Sequence, residues 1–420
     1  MTEARLTTLA NGLRVVSIDM AGLETAAVGV WVDAGARHET TALNGISHLL
    51  EHMAFKGTAQ RDALAIAEEI ERVGGHLNAY TSREHTAYVA RVLKEDVPLA
   101  VDMLADILLN ATMPEDELKR EREVVIQEIA QVHDTPDDVV FDLFQETAYP
   151  DQPLGRSILG TAESVAGFSR ETLDTYMRRH YTGERMVLVA AGRVDHEVLV
   201  DLAEAAFEDV PRGAPYPVEP AAYRGGDRRN QRDLEQIHLV MGFNGVAYHD
   251  PRYYEQQVLA TVLGGGMSSR LFQEVREKRG LAYSVFAFAS SYIDSGLFAI
   301  YAGASENHVR DLVPVICDEV LKIAQEVGGY ELARARAQLK ASLMMSLESP
   351  SARCEQTARQ MLIFGRPIPS AEIIAHIDAV DAQALTRIAG RLIADGRPTI
   401  TALGPVAAVA SYETIAGRLG

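Results

Sequence analysis

Apolar residues recur along this chain at two spacings. They fall at every second position in short runs and at every third or fourth in longer ones, and the changes of period lay out the first half. Leu6 to Asp19 reads as a hairpin: Thr7-Thr8-Leu9, a turn at Asn11-Gly12, then Leu13-Arg14-Val15-Val16-Ser17-Ile18. Ala26 to Asp33 is a nearly continuous apolar run, the pattern of a mostly buried strand, and Gly35 closes it. Ala63 to Val73 has the helical period and stops at Gly74-Gly75. Strand-like runs follow at His76 to Ser82 and Thr86 to Val92, separated by Arg83-Glu84-His85. Asp96 to Asn110 reads as a helix. A longer one starts at Pro114, carries Glu115, Asp116 and Glu117 in its first turn where the helix dipole favours them, and runs to about Val132. Further helices are expected at Asp138 to Thr147, Ser169 to His180 and Glu197 to Phe207, with a strand at Met186 to Gly192.

The pattern breaks at Pro211 to Asp227, where four prolines and several glycines leave neither period, as in a semi-rigid linker. Beyond it the syntax starts again. Gln236 to Phe243 repeats the Ala26 strand, Gly245-Val246-Ala247-Tyr248-His249-Asp250 repeats Gly35-Ala36-Arg37-His38-Glu39, and Asn307 to Val327 repeats the helix at Asp96. Near Gly74 and Gly280 each half turns from helix into strand. This is a weak internal duplication. It predicts an α+β protein of two similar domains, residues 1–210 and 228–420, each a mixed or antiparallel sheet packed with helices, joined by the linker at 211–227. A chain of 420 residues is also too long for one ordinary core.

Composition then narrows the function. An apolar content of 47% with 24% charged residues describes a folded globular protein, and a formal charge of −19 argues against nucleic acid and anionic membrane as partners. No apolar run approaches the roughly 18 residues of a membrane span. Cys317 and Cys354 are too few for a disulfide framework and read as buried thiols of a reducing compartment. The start, Met1-Thr2-Glu3-Ala4-Arg5, lacks the basic and apolar regions of a secretory signal, so a cytoplasmic protein is expected.

The chemistry gathers at His48-Leu49-Leu50-Glu51-His52. On a helix the two imidazoles stand one turn apart and can grip one metal ion, with the Glu51 carboxylate beside them. Taking Ile46 as zero, Leu49, Leu50 and Met53 fall within about 60°, whereas His48 and His52 fall at roughly 200° and 240°. The helix thus turns an apolar stripe to a core and its chemistry to a cleft. The blander alternative is two histidines that merely flank a glutamate. The corresponding stretch of the second half, Leu259-Ala260-Thr261-Val262-Leu263, has no ligand, so only one copy could hold a metal. Two histidines leave such a site incomplete. The Pro114 helix offers Glu121 and Glu128, nearly eclipsed on one face, with Glu123 pointing elsewhere; a solvated acidic helix remains the competing interpretation. A structural site closed by His76 or His85 would leave Glu51 without a task. Gly264-Gly265-Gly266 lacks the Gly-Lys-Ser/Thr of a phosphate loop.

His48-Leu49-Leu50-Glu51-His52-Met53-Ala54-Phe55-Lys56-Gly57-Thr58 resembles the pitrilysin (inverzincin) metallopeptidases, processing peptidases and bacterial two-domain proteins among them. The resemblance implies a third zinc ligand 76 residues after the second histidine, which is Glu128, and a supporting glutamate seven residues earlier, Glu121. Asn78-Ala79-Tyr80-Thr81-Ser82 resembles the family's substrate-binding edge strand. Arg276-Glu277-Lys278-Arg279-Gly280-Leu281-Ala282-Tyr283 resembles the segment whose Arg and Tyr, here Arg276 and Tyr283, hold the substrate. The implied enzyme binds one Zn2+ per chain through His48, His52 and Glu128, uses Glu51 as general base, and cleaves unfolded or presequence-like peptides in an enclosed chamber. It implies a homodimer, or a heterodimer with a related subunit. A non-catalytic scaffold and a peptide-binding subunit with a vestigial metal are the alternatives within the same family.

Overall fold

In the computed structural model of the chain, residues 3–214 and 216–420 are described. Met1 and Thr2, read above for a targeting signal, and Pro215 of the linker lie outside them. Among the described residues, β1 (Arg5–Thr8), β2 (Arg14–Asp19), β3 (Thr25–Val32), β4 (His76–Thr81), β5 (Thr86–Leu93) and β6 (Met186–Gly192) form one sheet, in the order β1-β2-β6-β3-β5-β4. β2 and β6 run parallel and every other pairing is antiparallel. A second sheet contains β7 (Gly226–Gln231), β8 (Ile237–Asn244), β9 (Ser284–Ser291), β10 (Gly296–Ala304) and β11 (Thr399–Gly404), ordered β7-β11-β8-β10-β9. Here too one pair, β7 with β11, is parallel and the rest antiparallel. Without β1, the two sheets have the same order and the same sense of pairing, strand for strand. The expected α+β duplication is therefore present as topology.

The first half carries α1 (Ile46–Ala54), α2 (Ala63–Arg72), α3 (Val97–Leu109), α4 (Glu115–His133), α5 (Pro136–Ala148), α6 (Ala162–Gly167), α7 (Arg170–His180) and α8 (His196–Ala206). The second carries α9 (Tyr253–Gly264), α10 (Glu306–Gln325), α11 (Gly329–Ser346), α12 (Pro350–Phe364), α13 (Ser370–Ala379), α14 (Ala382–Ala394) and α15 (Tyr412–Leu419). Helices α11 to α14 occupy a stretch in which the periodicity argument identified no elements. Phe272–Glu277 is a π-helical turn, which the pattern did not foresee either.

The first sheet is buried on both faces, which is why β3 and β6 are apolar without alternation. On one face Val28, Val30, Tyr88, Leu188 and Ala190 pack with Val101 and Leu104 of α3. On the other, Ala27, Trp31, Val187 and Val189 pack with Cys354, Ala358 and Met361 of α12. The chain divides into two compact units, one of residues 1–130, 156–219 and 344–369, the other of 131–155, 220–343 and 370–420. They differ from the contiguous 1–210 and 228–420. Helix α5 belongs with the second sheet, where Val140 and Phe144 join Val240 and Leu403, and α12 belongs with the first. An amphipathic helix can bury its stripe against either of two similar sheets, so its sequence does not say which.

Candidate metal centre

Helix α1 begins at Gly45, whose left-handed backbone (φ 94°) and close approach to the Leu159 carbonyl both require the absence of a side chain. Its first turn is capped from outside. The buried Glu39 carboxylate accepts hydrogen bonds from the Gly45 amide at 2.8 Å, the Ser47 amide at 2.9 Å and the Asn44 side chain at 3.1 Å. Ile46, Leu49, Leu50 and Met53 bury against Leu118 and Val125 of α4 and Leu173 and Tyr176 of α7, as the helical stripe predicted. That packing fixes the opposite face, where the His48 and His52 rings lie 4.8 Å apart, centroid to centroid.

Helix α4 brings Glu128 to them. Glu128 Oε2 lies 3.6 Å from His48 Nε2 and 3.5 Å from His52 Nε2. These are too long for hydrogen bonds, but two ligands about 2.1 Å from one tetrahedral zinc stand about 3.4 Å apart. The donor atoms of the three residues lie within 4.8 Å of one another, and theirs is the one such group of three among the described residues. His76 and His85 do not join it. Two imidazoles and a carboxylate are a donor set that fits zinc and leaves room for a fourth ligand.

The surroundings bias each group. Burial, then the neighbouring His52, pushes the His48 imidazole down to about 4, which keeps it in the neutral form that binds metal. Glu121 is buried; its Oε2 is 2.9 Å from His52 Nδ1, and its Oε1 accepts from the Lys56 ammonium at 2.7 Å. This arrangement orients the ring so that Nε2 faces Glu128. Glu51 accepts from the Thr81 hydroxyl at 2.7 Å and from the Thr81 backbone amide. Burial raises the Glu51 carboxyl above its ordinary range, against the pull of those bonds and with some help from the Glu128 charge.

The remaining candidates fall in two places. Asn78, Ala79, Tyr80 and Thr81 lie on β4, an edge strand of the first sheet whose partner on the inner side is β5. Arg276 and Tyr283 belong to the second unit. There the Arg276 guanidinium sits 4.6 Å from the Tyr283 ring and 4.8 Å from the Phe272 ring, and Tyr283 is largely exposed. Sequence reasoning missed Glu39, Lys56 and the contact of Thr81 with Glu51. Lys56 stands four residues after His52, a spacing that could have been noticed; Glu39 acts from a loop and leaves no local signal.

Residues 14–162 match the family described as Insulinase (Peptidase family M16), and residues 167–339 match Peptidase M16 inactive domain. With the relatives below, this places the chain in peptidase family M16. A probable mitochondrial-processing peptidase subunit beta of Arabidopsis thaliana is 42% identical, covering 99% of this chain and 81% of that protein. An uncharacterized zinc protease of Rickettsia felis is 40% identical, covering 91% of this chain and 93% of the relative. A solved protease structure from Helicobacter pylori superposes with a TM-score of 0.90 at 23% identity, covering 96% of this chain and all of that one, which speaks to the fold. The two matched segments also separate the donors. His48, His52 and Glu128 lie in the first, whereas α9 in the second carries Leu259-Ala260-Thr261-Val262-Leu263.

Proposed function

We propose that this chain is a zinc-dependent endopeptidase that hydrolyses unfolded oligopeptides or presequence-like peptides. The observation that carries the proposal is the convergence of His48, His52 and Glu128 beside the half-buried Glu51, which is itself tied to an edge strand by Thr81. One zinc ion held by the three ligands would polarise a peptide carbonyl and lower the pKa of its water toward about 7. Glu51, whose raised pKa makes it a better proton acceptor, takes the proton of the attacking water and delivers it to the leaving amine. Glu121 holds His52 in register. Asn78 to Thr81 on β4 align the peptide as one more strand, so that main-chain bonds give affinity with little demand on sequence. Arg276 and Tyr283 anchor it from the second domain, within an enclosed chamber.

Glu51→Gln should retain zinc and lose about 10²- to 10⁴-fold in cleavage of a quenched peptide. Cleavage at the native rate would remove Glu51 from the mechanism. The chain carries both the metal set and the Arg276/Tyr283 pair, which favours a homodimer over a heterodimer with a related subunit. Gel filtration of the chain expressed alone checks this; a monomer with full activity would refute the dimer. The two cysteines are buried and unpaired, in keeping with a cytoplasmic setting.

A further inference from the structure

Strand β4 is gripped at two consecutive residues from opposite faces of the sheet. Side chains alternate along a strand, so Thr81 points toward α1 and Tyr80 points toward α12. On the α1 side, Thr81 holds Glu51. On the other side the Tyr80 hydroxyl donates to Glu355 Oε1 at 2.5 Å, while Trp31 Nε1 donates toward both Glu355 Oε2 and the Tyr80 oxygen, each at 3.2 Å. His85 Nε2 lies 3.1 Å from the same hydroxyl. Glu355, Trp31 and His85 thus surround the Tyr80 hydroxyl.

The grip comes from a rigid element far away in sequence. Helix α12 starts with Ser349 accepting from the Ala352 amide and Pro350 in its first turn, and ends at Gly365 in the left-handed region. Cys354, Ala358 and Met361 bury against the sheet and fix the face beside which Glu355 stands. Nearby, a cavity of about 380 Å³ opens over the sheet, lined by Trp31, Asn78, Tyr80, Val89, Arg91 and Glu355. Asn78 faces this space, so the bonds at Tyr80 are where α12 takes hold of the strand.

We propose that Glu355 is a positioning residue of the peptidase site. By fixing Tyr80 it holds the edge strand on which a peptide is aligned and, one residue on, the Thr81 hydroxyl that orients Glu51. The proposal rests on the peptidase reading but makes a claim about β4 that can be measured without turnover.

The test uses the full chain with Glu355→Ala, Glu355→Gln, Tyr80→Phe and the double variant Tyr80→Phe/Glu355→Gln. Three quantities are followed: amide exchange across residues 76–81, KM and kcat on a quenched peptide, and zinc bound per chain. Glu355→Ala should speed exchange in β4 and raise KM by about tenfold, with zinc content unchanged. A merely destabilising change would lower the active fraction, and so kcat, without moving KM. Glu355→Gln keeps one accepting oxygen and should recover part of the loss, and the double variant should be no worse than its worse single. Unchanged β4 exchange and KM in Glu355→Ala, or additive losses in the double variant, would overturn the proposal. If Glu355→Ala does not fold, the Gln and Phe variants carry the same comparison. A native chain that binds zinc without cleaving peptides would count against the peptidase reading, and the exchange data would still decide the grip on β4.

Discussion

His48, Glu51 and His52 were legible in the sequence because their chemistry and their helical spacing coincide in five residues. Glu128 was only one of two candidates until the resemblance chose it, since no short-range pattern links it to α1. Thr81, Lys56 and Glu355 act through contacts between distant segments, and a single sequence does not reveal which distant side chains meet. The histidines outside the metal group carry a separate consequence. Burial pushes His85 down to about 4, His180 to about 3, and His38 well below its ordinary value, with nearby arginines adding to each shift. The unfolded chain takes these protons near pH 6.5, whereas the folded chain resists them until far lower. Between those values the unfolded state binds more protons, so stability falls as the pH falls from about 6.5 toward 4. The melting temperature of the metal-free protein should therefore drop between pH 7 and 5; a flat profile would contradict buried neutral histidines.

Among the elements, α1 shows why the periodicity argument worked. Its stripe of Ile46, Leu49, Leu50 and Met53 is fully buried, and that burial aims the histidines. Its start was not legible, because the cap comes from Glu39, six residues before Gly45, and not from a side chain at the first turn. Replacing Glu39 with Ala leaves the Gly45 and Ser47 amides buried without an acceptor and the Asn44 side chain with the Ser157 carbonyl alone. The loss should be about 2–4 kcal/mol, read by denaturant unfolding. A loss below about 0.5 kcal/mol would mean the cap is dispensable. The β2–β1 hairpin shows a smaller departure. Its strands end at Thr8 and resume at Arg14, so the connection is longer than a two-residue Asn-Gly turn, with Gly12 in the left-handed region.

At the scale of the whole molecule, the duplication was visible as repeated strand and helix syntax, and it appears as two sheets with matching order. The exchange of α5 and α12 between the two units was not, because two similar sheets offer similar apolar faces. That exchange means the first sheet, with its edge strand β4 and the helix α1 beside it, is completed by residues 344–369. The central claim is that this molecule hydrolyses peptides at a metal held by His48, His52 and Glu128. It is tested most directly by mass spectrometry of a mixed peptide pool incubated with the protein, with and without a chelator. The account predicts internal cleavages that disappear with the chelator and return when zinc is restored; an intact pool in the presence of zinc, or cleavage indifferent to the chelator, would contradict it.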